Sequence, residues 1–181
     1  MAPVVLAGDY ILGSQVSFGF KFPVNQQIYF KSEPSIGDLV IYSKGGKSYV
    51  KRVLAGPGAD VEYNQNELVI NSQKCGYQPS SESGPEYEIV IESCGGERSV
   101  IRPKDVINSG VLNPSKLGEE QFLVAADNRI RSETNPIPLE VINYDQIVGK
   151  PLLIWMSYSS TQDFISHSLG TRWNRILTIL K

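Results

Sequence analysis

The stretch Tyr49-Val50-Lys51-Arg52-Val53-Leu54-Ala55-Gly56-Pro57-Gly58-Ala59-Asp60 decides how this chain is read. Its period-two alternation sets Tyr49, Lys51 and Val53 on one face of a strand, with Ser48, Val50 and Arg52 on the other. The strand runs into Gly56-Pro57-Gly58, a strong turn signal. A lysine thus shares a face with an aromatic and an aliphatic residue. An ammonium there is costly unless it is paired or loses its proton. Taken alone, the residue leaves two readings open: a stem snorkelling to the surface, or a buried amine.

Outward from this stretch the pattern stays β. Residues Ile36 to Val53 predict a hairpin, with strand Asp38–Tyr42, a Lys44-Gly45-Gly46-Lys47 turn and strand Ser48–Val53. Val61–Tyr63 and Glu67–Ile70 predict a second hairpin about Asn64-Gln65-Asn66. Val4–Tyr10 reads as a strand ending at Gly8-Asp9, and the aromatic run Phe18 to Pro23 reads as a loop or edge strand. From Asn71 to Asn113 the composition shifts to Ser, Gly, Glu and Pro, with short β runs at Tyr87–Glu92 and Arg98–Ile101. Gln121–Ala126 returns to core strand character, Asp127-Asn128-Arg129 reads as a tight turn, and Ile147–Met156 reads as a central strand. Trp173, Ile176, Leu177 and Leu180 have helical spacing and predict a packed terminal helix. The fold class is mostly β: an antiparallel core from residues 1–70 and 114–181, with a smaller β subdomain inserted at 71–113.

Composition narrows the chemistry. The 181 residues suffice for one domain with a real core. A formal net charge of −2 supplies no basic field for nucleic acid. One histidine and two cysteines make no convincing zinc set, and no Gly-rich phosphate loop opens a helix. No metal or cofactor is expected, and His167 reads as an ordinary loop residue. No apolar run approaches the ~20 residues that span a bilayer. Cys75 and Cys94 both fall in the inserted region. In an oxidising compartment they would form a disulfide worth ~3 kcal/mol; otherwise they are two free thiols.

Four blocks, in order along the chain, resemble the bacterial type I signal peptidases (leader peptidases). Met1-Ala2-Pro3 with Leu6-Ala7-Gly8-Asp9 is similar to the family's Ser-Met-x-Pro…Gly-Asp box, whose serine would fall just before Met1. Gly37-Asp38-Leu39-Val40-Ile41-Tyr42 joins Tyr49-Val50-Lys51-Arg52-Val53 and Gly56-Pro57-Gly58-Ala59-Asp60-Val61 in the second. Gln121 to Ser132, QFLVAADNRIRS, is similar to the Gly-Asp-Asn-Arg-Asp-x-Ser box. Ile147-Val148-Gly149-Lys150, Ile154-Trp155-Met156-Ser157 and Arg172-Trp173-Asn174-Arg175-Ile176 make the fourth. Two departures stand out: Ala126 replaces the usual glycine, and Thr134-Asn135-Pro136 replaces the family's Asp-Ser-Arg.

The resemblance implies a signal-peptidase-like β fold and peptide hydrolysis by a Ser–Lys dyad. Lys51 is then the general base, and Ser132 hydrogen-bonds and orients it. Such a lysine must be neutral to accept the serine proton, so its pKa has to fall ~3 units below ~10.4; burial has that effect. The implied substrates are signal-peptide-bearing pre-proteins cut after small-x-small sites such as Ala-x-Ala, with Met1, Leu6, Tyr49 and Val50 near the pockets. The family's setting is the outer, periplasmic face of the bacterial inner membrane, reached through an N-terminal anchor. Phe18, Phe20 and Phe22 are candidates for an apolar rim at the membrane surface, or else core aromatics. The chain reads as a fragment without anchor or nucleophilic serine, expected to be inactive as it stands. The alternative is a catalytically dead relative that binds exported polypeptides or a partner protein. A self-cleaving Ser–Lys repressor shares the dyad logic, but the Ile147–Ser157 block argues against it.

Overall fold

The computed structural model of the chain describes residues 1–2, 4–21, 28–64, 67–104, 112–130, 139–159 and 170–180. In the first half the strands are β1 (Asp9–Ser14), β2 (Phe20–Lys21), β3 (Ile28–Tyr29), β4 (Leu39–Lys44), β5 (Lys47–Ala55), β6 (Asp60–Asn64), β7 (Glu67–Ile70) and β8 (Gln73–Lys74). The second half adds β9 (Gly76–Ser83), β10 (Tyr87–Ser93), β11 (Glu97–Pro103), β12 (Leu112–Lys116), β13 (Gln121–Ala125), β14 (Leu139–Asn143) and β15 (Ile147–Ser157). The fold is mostly β, as expected, and the named strands pair antiparallel throughout.

The central element is the β4–β5 hairpin. Gly45 and Gly46 have φ of 59° and 75°, the left-handed pair of a primed turn whose twist matches the flanking strands. The register places Val40 opposite Lys51 and Tyr42 opposite Tyr49. Around the hairpin a six-stranded sheet forms in the order β1-β15-β4-β5-β13-β14.

Alternation divides the buried side chains of this sheet between its two faces, with a further cluster of Leu39, Ile154 and Leu180 beside them. One face carries Val40, Tyr42, Val53, Phe122, Val124 and Ile142, covered by Phe18 and Tyr144. The other carries Leu54, Leu123, Ala125 and Leu139. It packs against Val61, Tyr63 and Leu68 of the four-stranded sheet β12-β6-β7-β8. Gly76 to Pro103 builds a separate three-stranded sheet, β11-β10-β9, which a Cys75–Cys94 disulfide joins at its base. The disulfide alternative is therefore the one realised, and both sulfurs belong to the second core.

Two expectations need correction. The first strand begins at Asp9, not Val4. Gly8 takes φ 87°, and the Leu6 N–H donates to Asp9 Oδ2 at 2.8 Å, so the backbone turns before it can pair. The terminal helix does not form either: Trp173–Arg175 is a single 3-10 turn and Trp173 is 77% exposed. The backbone beyond it binds β15 instead, through Leu177 N–H to Ile154 O at 2.7 Å and Leu180 N–H to Leu152 O at 2.8 Å. Those ladder bonds leave Leu180 buried and Leu177 and Ile179 outside.

The two ends of the chain meet at Asp9. Its carboxylate accepts from Arg175 (2.6 Å to Oδ2), Arg172 (3.3 Å) and the Ser157 hydroxyl (2.6 Å). Burial works to raise the Asp9 pKa, but the hydrogen bonds from Arg175, Ser157 and Leu6 outweigh it and hold the carboxyl below its ordinary range.

Candidate active site

Lys51 sits in the buried half of β5, 3% exposed, on the face shared with Tyr49 and Val53. Its amine donates to Glu140 Oε1 at 2.5 Å. Glu140 lies on β14, two strands away: it pairs with Val124, which pairs with Val53, two residues from Lys51 along β5. The same Oε1 accepts from the Tyr42 hydroxyl, and Oε2 accepts from Lys44 Nζ at 2.5 Å. One carboxylate thus holds two ammonium groups and a phenol at the edge of an apolar core.

The charges here are displaced from their ordinary behaviour. Burial lowers the Lys51 pKa, against the opposing pull of Glu140. Burial works to raise Glu140, yet hydrogen bonds from Lys44, Lys51 and Tyr42 leave it lowered, so it stays ionised near neutral pH. Burial and Glu140 together push the Tyr42 phenol up, which keeps it a donor.

Arg52, on the opposite face of β5, is equally buried and equally satisfied. Its Nε and Nη2 reach Asp127 Oδ1 and Oδ2, each at 3.1 Å, and Nη1 donates to Gly37 O at 2.7 Å. The fork locks the Asp127-Asn128-Arg129 turn onto β5. Arg129 continues inward, donating to Glu92 Oε2 on β10 at 2.9 Å and to Ala126 O at 2.7 Å. Glu92 is fully buried and also accepts from Arg98 at 3.0 Å.

Of the residues expected at the site, Lys51 is buried on β5, and Met1 lies at the edge of a neighbouring apolar cluster. Met1 packs against the Leu39, Ile154 and Leu180 cluster. Burial lowers the pKa of its amino group, with the Asp127 carboxylate acting to raise it and the Lys51 ammonium to lower it, so both lie within electrostatic reach. Tyr49 is half-buried and stacks on Tyr42 at 5.5 Å. Val50 is half-buried on the opposite face of the same strand, paired with Ile41. Leu6 belongs to the turn before Asp9. Ser132, Thr134, Pro136, His167 and Phe22 lie outside the described residues, as does the side chain of Phe20. Phe18 is a core residue and not a rim: it is 7% exposed, and its carbonyl accepts from the Tyr144 hydroxyl.

Sequence reasoning missed Glu140. A local signal existed: one carboxylate inside the apolar strand Leu139-Glu140-Val141-Ile142. Its partner, however, is 89 residues away. Among the described residues no group of three or more His, Cys, Asp or Glu side chains is placed to hold a metal ion, and no helix is long and apolar enough to cross a membrane.

Residues 1–156 match the model of the family "Signal peptidase, peptidase S26". The chain is 23% identical over 185 residues to signal peptidase I of Rickettsia typhi, covering 89% of this chain and 70% of the relative. It is 26% identical to that of Pseudomonas fluorescens, covering 87% of this chain and 62% of the relative. With that of Buchnera aphidicola the identity is 27%, over 96% of this chain and 59% of the relative. The chain belongs to the signal peptidase family, peptidase S26.

Proposed function

We propose that this chain is the β catalytic portion of a bacterial signal peptidase, a serine endopeptidase that removes signal peptides from exported pre-proteins after small-x-small sites. Lys51 is the general base. It takes the proton of a serine hydroxyl carried immediately ahead of Met1, the serine oxygen bonds to the scissile carbonyl carbon, and the proton passes on to the departing amine. Ser132 orients the lysine. Met1, Leu6, Tyr49 and Val50 border shallow apolar pockets that admit alanine and exclude larger side chains, and the extended substrate pairs with strand edge.

The observation that carries this reading is the Lys51 amine. It is removed from water on a β-strand, and burial biases it toward the neutral form. The membrane part of the reading is supported by exposed apolar side chains along β1, the outer half of β15 and the segment after it: Leu12, Leu152, Trp155, Trp173, Leu177 and Ile179. Tryptophan at such a surface suits the interface between water and lipid. The native anchored protein would work at the periplasmic face of the inner membrane.

A second reading, a relative that binds exported polypeptides without cutting them, is favoured by one observation. Glu140 pairs with the Lys51 amine and so stabilises its charged form. One experiment separates the two. The protein carrying its native residues ahead of Met1 is assayed on a pre-protein with an Ala-x-Ala site in detergent or lipid. Cleavage that falls about 10²–10⁴-fold in Lys51→Ala supports the peptidase. Binding of the pre-protein without cleavage supports the second reading.

A further inference from the structure

A buried general base presents a conflict. It must be held still, and the simplest holder for an ammonium is a carboxylate, which also discourages the loss of the proton. The cluster on Glu140 resolves this by division. Glu140 Oε1 serves Lys51 and the Tyr42 hydroxyl, while Oε2 is engaged by Lys44, whose side chain is 47% exposed. The anion therefore never belongs to Lys51 alone.

We propose that Glu140 is a positioning residue for Lys51: its carboxylate anchors the amine, and Lys44, competing for the same anion, keeps the amine ready to give up its proton. The proposal rests on Lys51 being the base, as read above. Among the described residues, the charged and titratable groups facing Lys51 are Glu140 from β14, Tyr42 and Lys44 from β4, and Arg129 from the turn after β13. Glu140 favours the ammonium, while Lys44 and Arg129 disfavour it. Removing Glu140 thus lowers the pH at which Lys51 titrates, and removing Lys44 raises it. A carboxylate that merely filled space would move neither.

Two readouts test this. In the 181-residue chain with 13Cε-labelled lysine, the Lys51 resonance, assigned by its loss in Lys51→Ala, is titrated by NMR. Glu140→Gln is expected to move the midpoint down by about 1–3 pH units, the size of a close opposite charge. Lys44→Met is expected to move it up by a smaller amount, and Glu140→Asp to restore most of the wild-type value. In the protein carrying its upstream residues, the acid limb of kcat/KM should follow: to lower pH in Glu140→Gln and to higher pH in Lys44→Met. If Glu140→Gln fails to fold, the half-exposed Lys44 still carries the test by the sign of its shift.

A midpoint unmoved in folded Glu140→Gln, or moved down in Lys44→Met, overturns the proposal even when Lys51→Ala is inactive. Full activity in Lys51→Ala overturns the base reading, and with it the catalytic meaning of the pair. A titration shift of the expected sign accompanied by the same shift in the acid limb supports both.

Discussion

At the scale of single residues, the adjacent pair Lys51 and Arg52 shows how neighbours in one strand come to different chemical ends. Both are cations and both are buried, but they leave β5 on opposite faces. Arg52 meets Asp127 through two parallel contacts of 3.1 Å and never needs to change protonation. Lys51 meets an anion that it shares, and burial lowers its pKa against the pull of that anion. A guanidinium satisfies the fork geometry that an ammonium lacks. Arg52→Lys is therefore expected to destabilise the fold by about 1–3 kcal/mol, because Asp127 or the Gly37 carbonyl loses its donor in a dry site. A urea unfolding midpoint equal to wild type would show that the fork does not matter.

At the scale of elements, the sheet β9–β11 is tied to the turn beside the site. Asn128 bridges Ile101 of β11, with Ile101 N–H to Asp127 O at 2.8 Å and Arg129 N–H to Ile101 O at 2.7 Å. Beneath this bridge lies the buried network of Glu92, Arg98 and Arg129. The turn that presents Asp127 to Arg52 is thus held from the β9–β11 sheet as well as from β13. Glu92→Gln removes the charge on which two arginines converge and is expected to cost about 3–5 kcal/mol, the range for breaking one partner out of a buried ion pair. The loss should also be local. Native-state hydrogen exchange should show the Ile101 and Arg129 amides losing protection before the β4–β5 ladder does. Equal loss everywhere would mean that the turn does not depend on the β9–β11 sheet.

For the whole molecule, the distribution of apolar surface is the informative feature. Isolated exposed hydrophobics are ordinary, but a concentration of them marks an interaction surface. Here Leu152 and Trp155 lie on β15, while Trp173, Leu177 and Ile179 lie on the segment that hydrogen-bonds to it, with Trp155 and Trp173 58% and 77% exposed; Arg172 and Arg175 tie that segment to Asp9 of β1. If this surface rests on lipid, each tryptophan that enters the interface contributes on the order of 1–2 kcal/mol. The Trp155→Ser, Trp173→Ser double variant is expected to partition into phospholipid vesicles at least about tenfold less than wild type, with unfolding unchanged. Sedimentation with vesicles measures it, and undiminished binding would remove the membrane reading of this face.

The amino-acid sequence by itself determined the local β structure: the Gly-Gly hairpin, the second hairpin, β10, β11, β13 and β15 all follow from alternation and turn chemistry within a few residues. It determined the family too, since ordered motifs survive as text. It marked Lys51 as an oddity, because a charge on an apolar face violates period-two patterning. Tertiary structure alone decided what that charge meets. Glu140 is 89 residues from Lys51 and 96 from Lys44, and no periodic signal spans such a distance. The helical spacing of Trp173, Ile176, Leu177 and Leu180 misled for the same reason: spacing is a local property, whereas the backbone of that segment hydrogen-bonds to the outer half of β15, beyond the reach of its pairing with β4. Strands are written in neighbours; a buried carboxylate shared between two lysines is written in strand order, and strand order exists only once the sheet has closed.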